Sequence, residues 1–326
     1  MRPKVLVTRK LPAEALEQLE KHCDVDLNEA DRPLTRQELM RRIRDKDGIL
    51  SMLTDRIDGE LMDAGPNLKV ISNYAVGFNN IDVKEATRRG IPVTNTPGVL
   101  TESTADLTWA LIMDAARRVS EGDRATRAGR WPGWSPMWML GRDVHGATLG
   151  IIGMGRIGRA VARRARGFDM RVIYFSRTRL PEEEERALRA SYCPLQELLR
   201  QADFVSLHAP YSEATHHLIG PEELAMMKPT AYLINTARGP LVDEQALVRA
   251  LREGQIAGAG LDVYEREPEL AEGLAELDNV VLSPHLGSST WQTRLQMARL
   301  AVDNLLAVLQ GRRPPHLVNE AVWPRK

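Results

Sequence analysis

The chain has 326 residues, more than one average domain, so two domains are expected. With 43% hydrophobic residues it can build real cores, and its 44 basic and 44 acidic residues cancel, leaving no basic excess to point to nucleic acid or an anionic membrane. Cys23 and Cys193 form neither a CxxC nor a disulfide framework, no run of about 18 apolar residues marks a membrane span, and the start MRPKVLVTRK lacks a signal-like apolar stretch, so a cytoplasmic protein is expected.

KVLVT (4–8) reads as a buried strand, and LPAEALEQLEKH (11–22) as an amphipathic helix with Pro12 early in its first turn. DGILSML (47–53) and LKVISNY (68–74) repeat the strand pattern, with helical patterns between them. Strands that alternate with helices indicate a parallel sheet. A longer helical stretch follows at 101–119, and then the loop GRWPGWSPMWMLGR (129–142), which carries Trp131, Trp134 and Trp138. A second series opens at 147–168 and continues through RVIYF, DFVSLHAP, AYLINTARG, AGAGLDVY and NVVLSPHLG. The pattern at 288–311 is helical again. The reading is two α/β domains, residues 1–100 with 288–326 and residues 101–287, the second inserted before the C-terminal helix.

GMGRIG places Gly153, Gly155 and Gly158 in GxGxxG spacing between a strand-like TLGII and a helical RIGRAVARRARGF. The first glycine permits a tight turn, the second lets a pyrophosphate approach the backbone, and the third allows close helix packing. In that context the motif points to a dinucleotide. The end of the next strand usually carries an acid for the ribose hydroxyls, but here it reads Ser176, Arg177, Thr178. Arg177 alone is as well explained as a solvated surface charge. At this position a guanidinium and two hydroxyls suit the 2′-phosphate of NADP, and NADP is favoured over NAD.

Arg238 in INTARGP, Glu267 in DVYEREP and His285 in LSPHLGS stand at the ends of strand-like runs, where ligands of doubly wound sheets bind. Reduction of a 2-oxo acid needs a cation for the carboxylate, a proton donor for the developing alkoxide, and a partner for that donor. Arginine offers a bidentate fork, histidine a pKa of about 6.5, and a carboxylate favours the imidazolium. Taken singly, each has a plainer reading as a surface or capping residue. Neighbouring His216 and His217 lack metal-ligand spacing, and no metal is expected. His208 ends a strand and is not assigned to catalysis, while EEEE (182–185) reads as a solvated helix start.

The segments GIIGMGRIGRAVARRARGF, LINTARGPLVDEQAL, AGAGLDVYEREP and NVVLSPHLGSST resemble, in order, the D-isomer-specific 2-hydroxyacid dehydrogenases, and SNYAVGFNNIDVKEATRRGIPVTNTPG resembles that family's substrate segment. The resemblance implies two doubly wound parallel-sheet domains, a flavodoxin-like substrate domain and a Rossmann cofactor domain. It implies Arg238, Glu267 and His285 as catalytic residues, and substrate contacts from Val76, Gly77, Arg238 and His285. It implies cofactor contacts from Gly153, Gly155, Arg156, Ile157, Gly158, Ser176, Arg177, Thr178, Thr236, Ala237, Asp262 and Gly287. Asp262 would lie near the nicotinamide, or else cap its strand-end turn. WSPMWMLG (134–141) looks like the loop of glyoxylate/hydroxypyruvate reductases, in which a tryptophan reaches a neighbouring subunit's site. Trp138 is the better positional match and Trp134 the alternative, and a homodimer is implied. The activity implied is NADPH-dependent reduction of glyoxylate or hydroxypyruvate. The alternatives are another dehydrogenase of the family, such as one acting on 3-phosphoglycerate, or a dinucleotide sensor without turnover.

Overall fold

Short apolar runs separated by amphipathic segments form two all-parallel sheets in the computed structural model of the protein, which describes residues 2–30 and 32–323. The chain divides into two units, Met1–Leu100 with Ser289–Lys326, and Thr101–Ser288.

The first unit holds strands β1 (Lys4–Val7), β2 (Asp24–Leu27), β3 (Gly48–Ser51), β4 (Val70–Asn73) and β5 (Val93–Thr94), in the order β2-β1-β3-β4-β5. This is the flavodoxin-like order. Alternation along β1 sends Val5 and Val7 to one core and Leu6 to the other. Ala15, Leu19, Ala298, Ala301 and Leu305 cover the first face, and Leu39, Ile43, Leu61 and Ala86 the second. Helix Trp291–Leu309 belongs here despite its distance in sequence, and its Ala301 carbonyl accepts a hydrogen bond from Ser72 Oγ at 2.8 Å.

The second unit holds β6 (Thr148–Ile152), β7 (Arg171–Phe175), β8 (Ala190–Tyr192), β9 (Phe204–Leu207), β10 (Tyr232–Asn235), β11 (Gly258–Leu261) and β12 (Val280–Leu282), in the order β12-β11-β10-β9-β6-β7-β8. The order reverses between β6 and β9, as in a Rossmann sheet. β9, β10 and β11 are buried throughout, as strands covered on both faces must be. The helical pattern at 101–119 ends earlier, at Arg117, because Arg118 turns left-handed (φ 57°) and Asp114 accepts the Ser120 N–H at 2.7 Å to start a new helix, Val119–Arg127. Among the described residues no helix is long and apolar enough to cross a membrane.

Candidate active site

The chain leaves β6 through Gly153, whose φ of 98° an L side chain rarely adopts, and a Cβ there would lie 2.5 Å from the Ala209 amide nitrogen. At Gly158 a Cβ would lie 2.2 Å from the Gly153 carbonyl oxygen, so helix Arg156–Ala165 packs directly on the turn. At Gly155 a Cβ would meet nothing within 4 Å. Gly155 is also the N-cap of that ten-residue helix and offers no capping side chain. An open, uncapped helix start at a switch point fits a phosphate-bearing dinucleotide.

After β7, Ser176 is half-buried while Arg177 and Thr178 are exposed. Arg177 makes no ion pair among the described residues, whereas Arg179 is committed to Glu185 through two bonds of 2.9 Å. Tyr174 donates to the same carboxylate at 2.6 Å. Arg179 and then Tyr174 hold the Glu185 carboxyl down at about 2. The EEEE segment is therefore not wholly solvated: Glu185 turns inward as the anchor of the loop after β7, and Glu182 and Glu183 remain exposed.

After β10, the Asn235 side chain shapes the turn, accepting the Ala237 N–H at 3.0 Å and donating to the Arg238 carbonyl at 2.9 Å. Thr236 is buried, its hydroxyl 2.8 Å from that of Thr108. Arg238 Nη1 donates to the Ala237 carbonyl at 2.6 Å. Burial makes the guanidinium charge costly and lowers its pKa, and the negative charge of Glu267 works against that.

Glu267 and His285 meet directly, with His285 Nδ1 at 2.8 Å from Glu267 Oε2. The other carboxylate oxygen accepts the Tyr264 N–H at 3.2 Å. Burial opposes ionisation of Glu267, but the hydrogen bond and charge of His285, with help from Tyr264 and Arg238, leave its carboxyl below the ordinary range. His285 has a φ of 55°, and its N–H donates to the Asp262 carbonyl at 3.0 Å. The Asp262 carboxylate accepts from Ser283 Oγ at 2.6 Å, Leu286 N–H at 2.6 Å and Gly287 N–H at 2.8 Å. Asp262 thus caps the loop that carries His285 at both ends. Thr104 holds the same loop from helix Thr101–Arg117, donating to the Gly287 carbonyl at 3.1 Å.

Arg238, Glu267 and His285 therefore lie on three loops at the carboxyl edge of one sheet, and Glu267 interacts with both of the others. With Nδ1 turned to a carboxylate, imidazolium Nε2–H is left as a proton donor. Sequence reasoning missed Asn235, the residue that sets the Arg238 turn. Its signal was its position as the last residue of β10, three before Arg238.

In the first unit, the Val76 and Gly77 carbonyls accept from Asn95 Nδ2 at 2.8 Å and Asn73 Nδ2 at 2.9 Å, which fixes the turn after β4. Of the tryptophan loop, Trp134 is 87% exposed and Met137 is 76% exposed, while Trp138 is half-buried. The Arg142 N–H, donating to the Ala116 carbonyl at 2.8 Å, ties down the loop's far end. Among the described residues, no group of His, Cys, Asp and Glu is arranged to hold a metal ion.

A family model described as D-isomer specific 2-hydroxyacid dehydrogenase, NAD binding domain, matches residues 109–287. A glyoxylate reductase of Thermococcus gammatolerans is 52% identical over 326 residues, covering 99% of this chain and 97% of its own length. One from Korarchaeum cryptofilum is 53% identical over 324 residues, with the same coverage of 99% and 97%. The crystal structure of an NADPH-dependent glyoxylate/hydroxypyruvate reductase from Sinorhizobium meliloti, in complex with NADP and malonate, is 36% identical with a TM-score of 0.87, covering 100% of this chain and 99% of that one.

Proposed function

The chain belongs to the D-isomer-specific 2-hydroxyacid dehydrogenases, and from that premise we propose that it reduces glyoxylate, and hydroxypyruvate as a second substrate, to the 2-hydroxy acid at the expense of NADPH. The observation that carries the reading is the 2.8 Å bond between His285 Nδ1 and Glu267, beside an Arg238 whose charge Glu267 feels. A relative that reduces glyoxylate over nearly the whole chain length narrows the substrate class.

The dinucleotide is assigned to the loop of Gly153, Gly155, Arg156, Ile157 and Gly158, with Thr236, Ala237, Asp262 and Gly287 along the nicotinamide half. Ser176, Arg177 and Thr178 are assigned to the 2′-phosphate, supported by the lack of an acid after β7 and by an Arg177 without an ion pair among the described residues. When bound, the reduced nicotinamide supplies hydride to the carbonyl carbon. Arg238 binds the substrate carboxylate through its fork and polarises the carbonyl. His285 gives the Nε2 proton to the oxygen as negative charge develops there, and Glu267 holds the imidazolium in place through Nδ1. Val76 and Gly77 are assigned to the substrate carboxylate through their amides. The exposed apolar loop is assigned to a homodimer contact, with Trp138, or the more exposed Trp134, reaching the second copy's substrate.

Initial rates over a panel of 2-oxo acids with NADPH and NADH test this directly. Turnover should be greatest with glyoxylate or hydroxypyruvate and NADPH. Tight cofactor binding without turnover would make the chain a sensor instead, and an Arg238→Ala variant with wild-type kcat/KM would remove Arg238 from its role.

A further inference from the structure

Glu244 and Glu265 are carboxylates for which the chemistry above has no use. Glu244 is the buried first residue of helix Glu244–Arg252, and Glu265 stands two residues before Glu267. Each accepts the other's main-chain N–H: Glu265 N–H reaches Glu244 Oε1 at 2.7 Å, and Glu244 N–H reaches Glu265 Oε1 at 3.0 Å. His217 Nε2 lies 3.0 Å from that same Glu265 oxygen, and the His217 N–H donates to the Pro240 carbonyl at 2.8 Å. Asp243 caps the helix by accepting the Ala246 N–H at 2.8 Å, and Glu265 takes the further N–H of Glu244, so the first turn of this helix is tied to the loop after β11.

The location gives the reason. A Cβ on Gly239 would lie 1.9 Å from the Tyr264 carbonyl carbon, so the backbone just after Arg238 touches the backbone that leads to Glu267. The crossed hydrogen bonds clamp that contact. Tyr264 N–H also donates to Glu267 Oε1 at 3.2 Å, so a shift of residues 264–265 passes straight to the carboxylate that meets His285.

We propose that Glu244 and Glu265, braced by His217, are positioning residues that lock the Arg238 turn onto the Glu267 turn and thereby hold Glu267 against His285. The inference rests on the roles given above to Arg238, Glu267 and His285.

The test is a set of variants assayed with glyoxylate and NADPH, each with its melting temperature and NADPH affinity. Glu265→Ala should lower kcat about tenfold or more while NADPH affinity stays near wild type, since small misplacements of reacting groups are costly. Glu265→Gln and Glu244→Gln keep an acceptor oxygen for the partner amide and should recover most of the rate. His217→Ala leaves both carboxylates intact, covers the case in which Glu265→Ala does not fold, and should lose several-fold in kcat. In a Glu267→Gln background, Glu265→Ala and His217→Ala should change kcat by less than about twofold, because their effect passes through Glu267. Losses that multiply in that background, Gln variants as impaired as Ala, or full kcat in both His217→Ala and Glu265→Ala would overturn the clasp and leave the functional reading intact. A wild-type chain inactive on every 2-oxo acid would overturn the functional reading, and the clasp with it.

Discussion

After β7, Ser176, Arg177 and Thr178 leave the carboxyl end of the strand with two of the three side chains exposed, and the ion pair that anchors the segment is made by Arg179 and Glu185 instead. After β10 and β11, Asn235, Asp262 and Glu265 tie the main chain of a loop to its own turn or to that of a neighbouring loop. In the proposed reading, the first region separates the residues assigned to the nucleotide from their anchor, and the second carries the residues assigned to catalysis on the anchored loops themselves. Substitutions at Ser176, Arg177 or Thr178 should therefore change selectivity without touching stability. In the second, stability and rate should fall together unless the substitution spares the hydrogen bonds that hold the loops.

His285→Gln is the substitution in the second region that should show rate loss alone. The Asp262 network binds main-chain atoms of this loop and is unaffected, so melting and NADPH affinity should stay near wild type. Turnover should fall by about 10²–10⁴, the usual worth of a positioned proton donor. Equal losses of rate and cofactor affinity would mean that the loop itself had been damaged. Asp262→Ala should show the opposite signature. It strips the acceptor from two main-chain amides and a hydroxyl, and each buried donor left unpaired costs about 1–3 kcal/mol. A loss of about 2–4 kcal/mol in chemical denaturation, together with slow turnover, is expected. Wild-type stability in Asp262→Ala would show that the loop does not depend on it.

His208, at the end of β9 against the glycine turn, tests whether anchoring extends to that strand. Its Nε2 lies 2.8 Å from Ser206 Oγ, and burial pushes its pKa down to about 3. The folded state thus keeps this ring neutral while the unfolded chain takes a proton below about 6.5, so the contribution is whole above 6.5 and is lost as pH falls toward 3. The slope is at most about 1.4 kcal/mol per pH unit. Glu267 adds acid loss in a lower window, since its depressed carboxyl stabilises above the unfolded value of about 4.3 and ceases to do so as pH falls through the folded one. Melting curves between pH 7 and 5 should therefore fall less steeply in His208→Gln than in wild type. Parallel curves would show that His208 is not held neutral.

Both sheets could be read from alternating apolar runs, and the glycine turn from spacing, because each depends on residues adjacent in sequence. Arg238, Glu267 and His285 could be singled out as candidates because strand ends and family segments mark them. What could not be read depends on partners far along the chain. Glu185 reads as one of four solvated acids, and it takes Arg179, six residues back, together with Tyr174, eleven residues back on β7, to turn it inward. The capping bonds of Asp262 could not be foreseen, because they go to Leu286 and Gly287, more than twenty residues on. The strands β2, β5 and β8 lack the apolar run that marks the others: DVDL carries two aspartates, VT is two residues long and ASY holds a single aliphatic residue.

The smallest effect bears most directly on the first region. Ser176→Asp puts a carboxylate at the end of β7, where it accepts ribose hydroxyls and repels a 2′-phosphate. The NADPH/NADH ratio of kcat/KM should fall about tenfold, equivalent to about 1.4 kcal/mol. Arg177→Ala should lower the same ratio by weakening NADPH alone, because only the phosphate gains from the guanidinium. Arg179→Ala serves as the contrast. It leaves Glu185 without its ion-pair partner beside Tyr174, so it should lower the melting temperature while changing the ratio less than Arg177→Ala does. If Arg179→Ala moved the ratio and Arg177→Ala did not, the anchor and the reader would be the same residue, and the division between the two regions would fail.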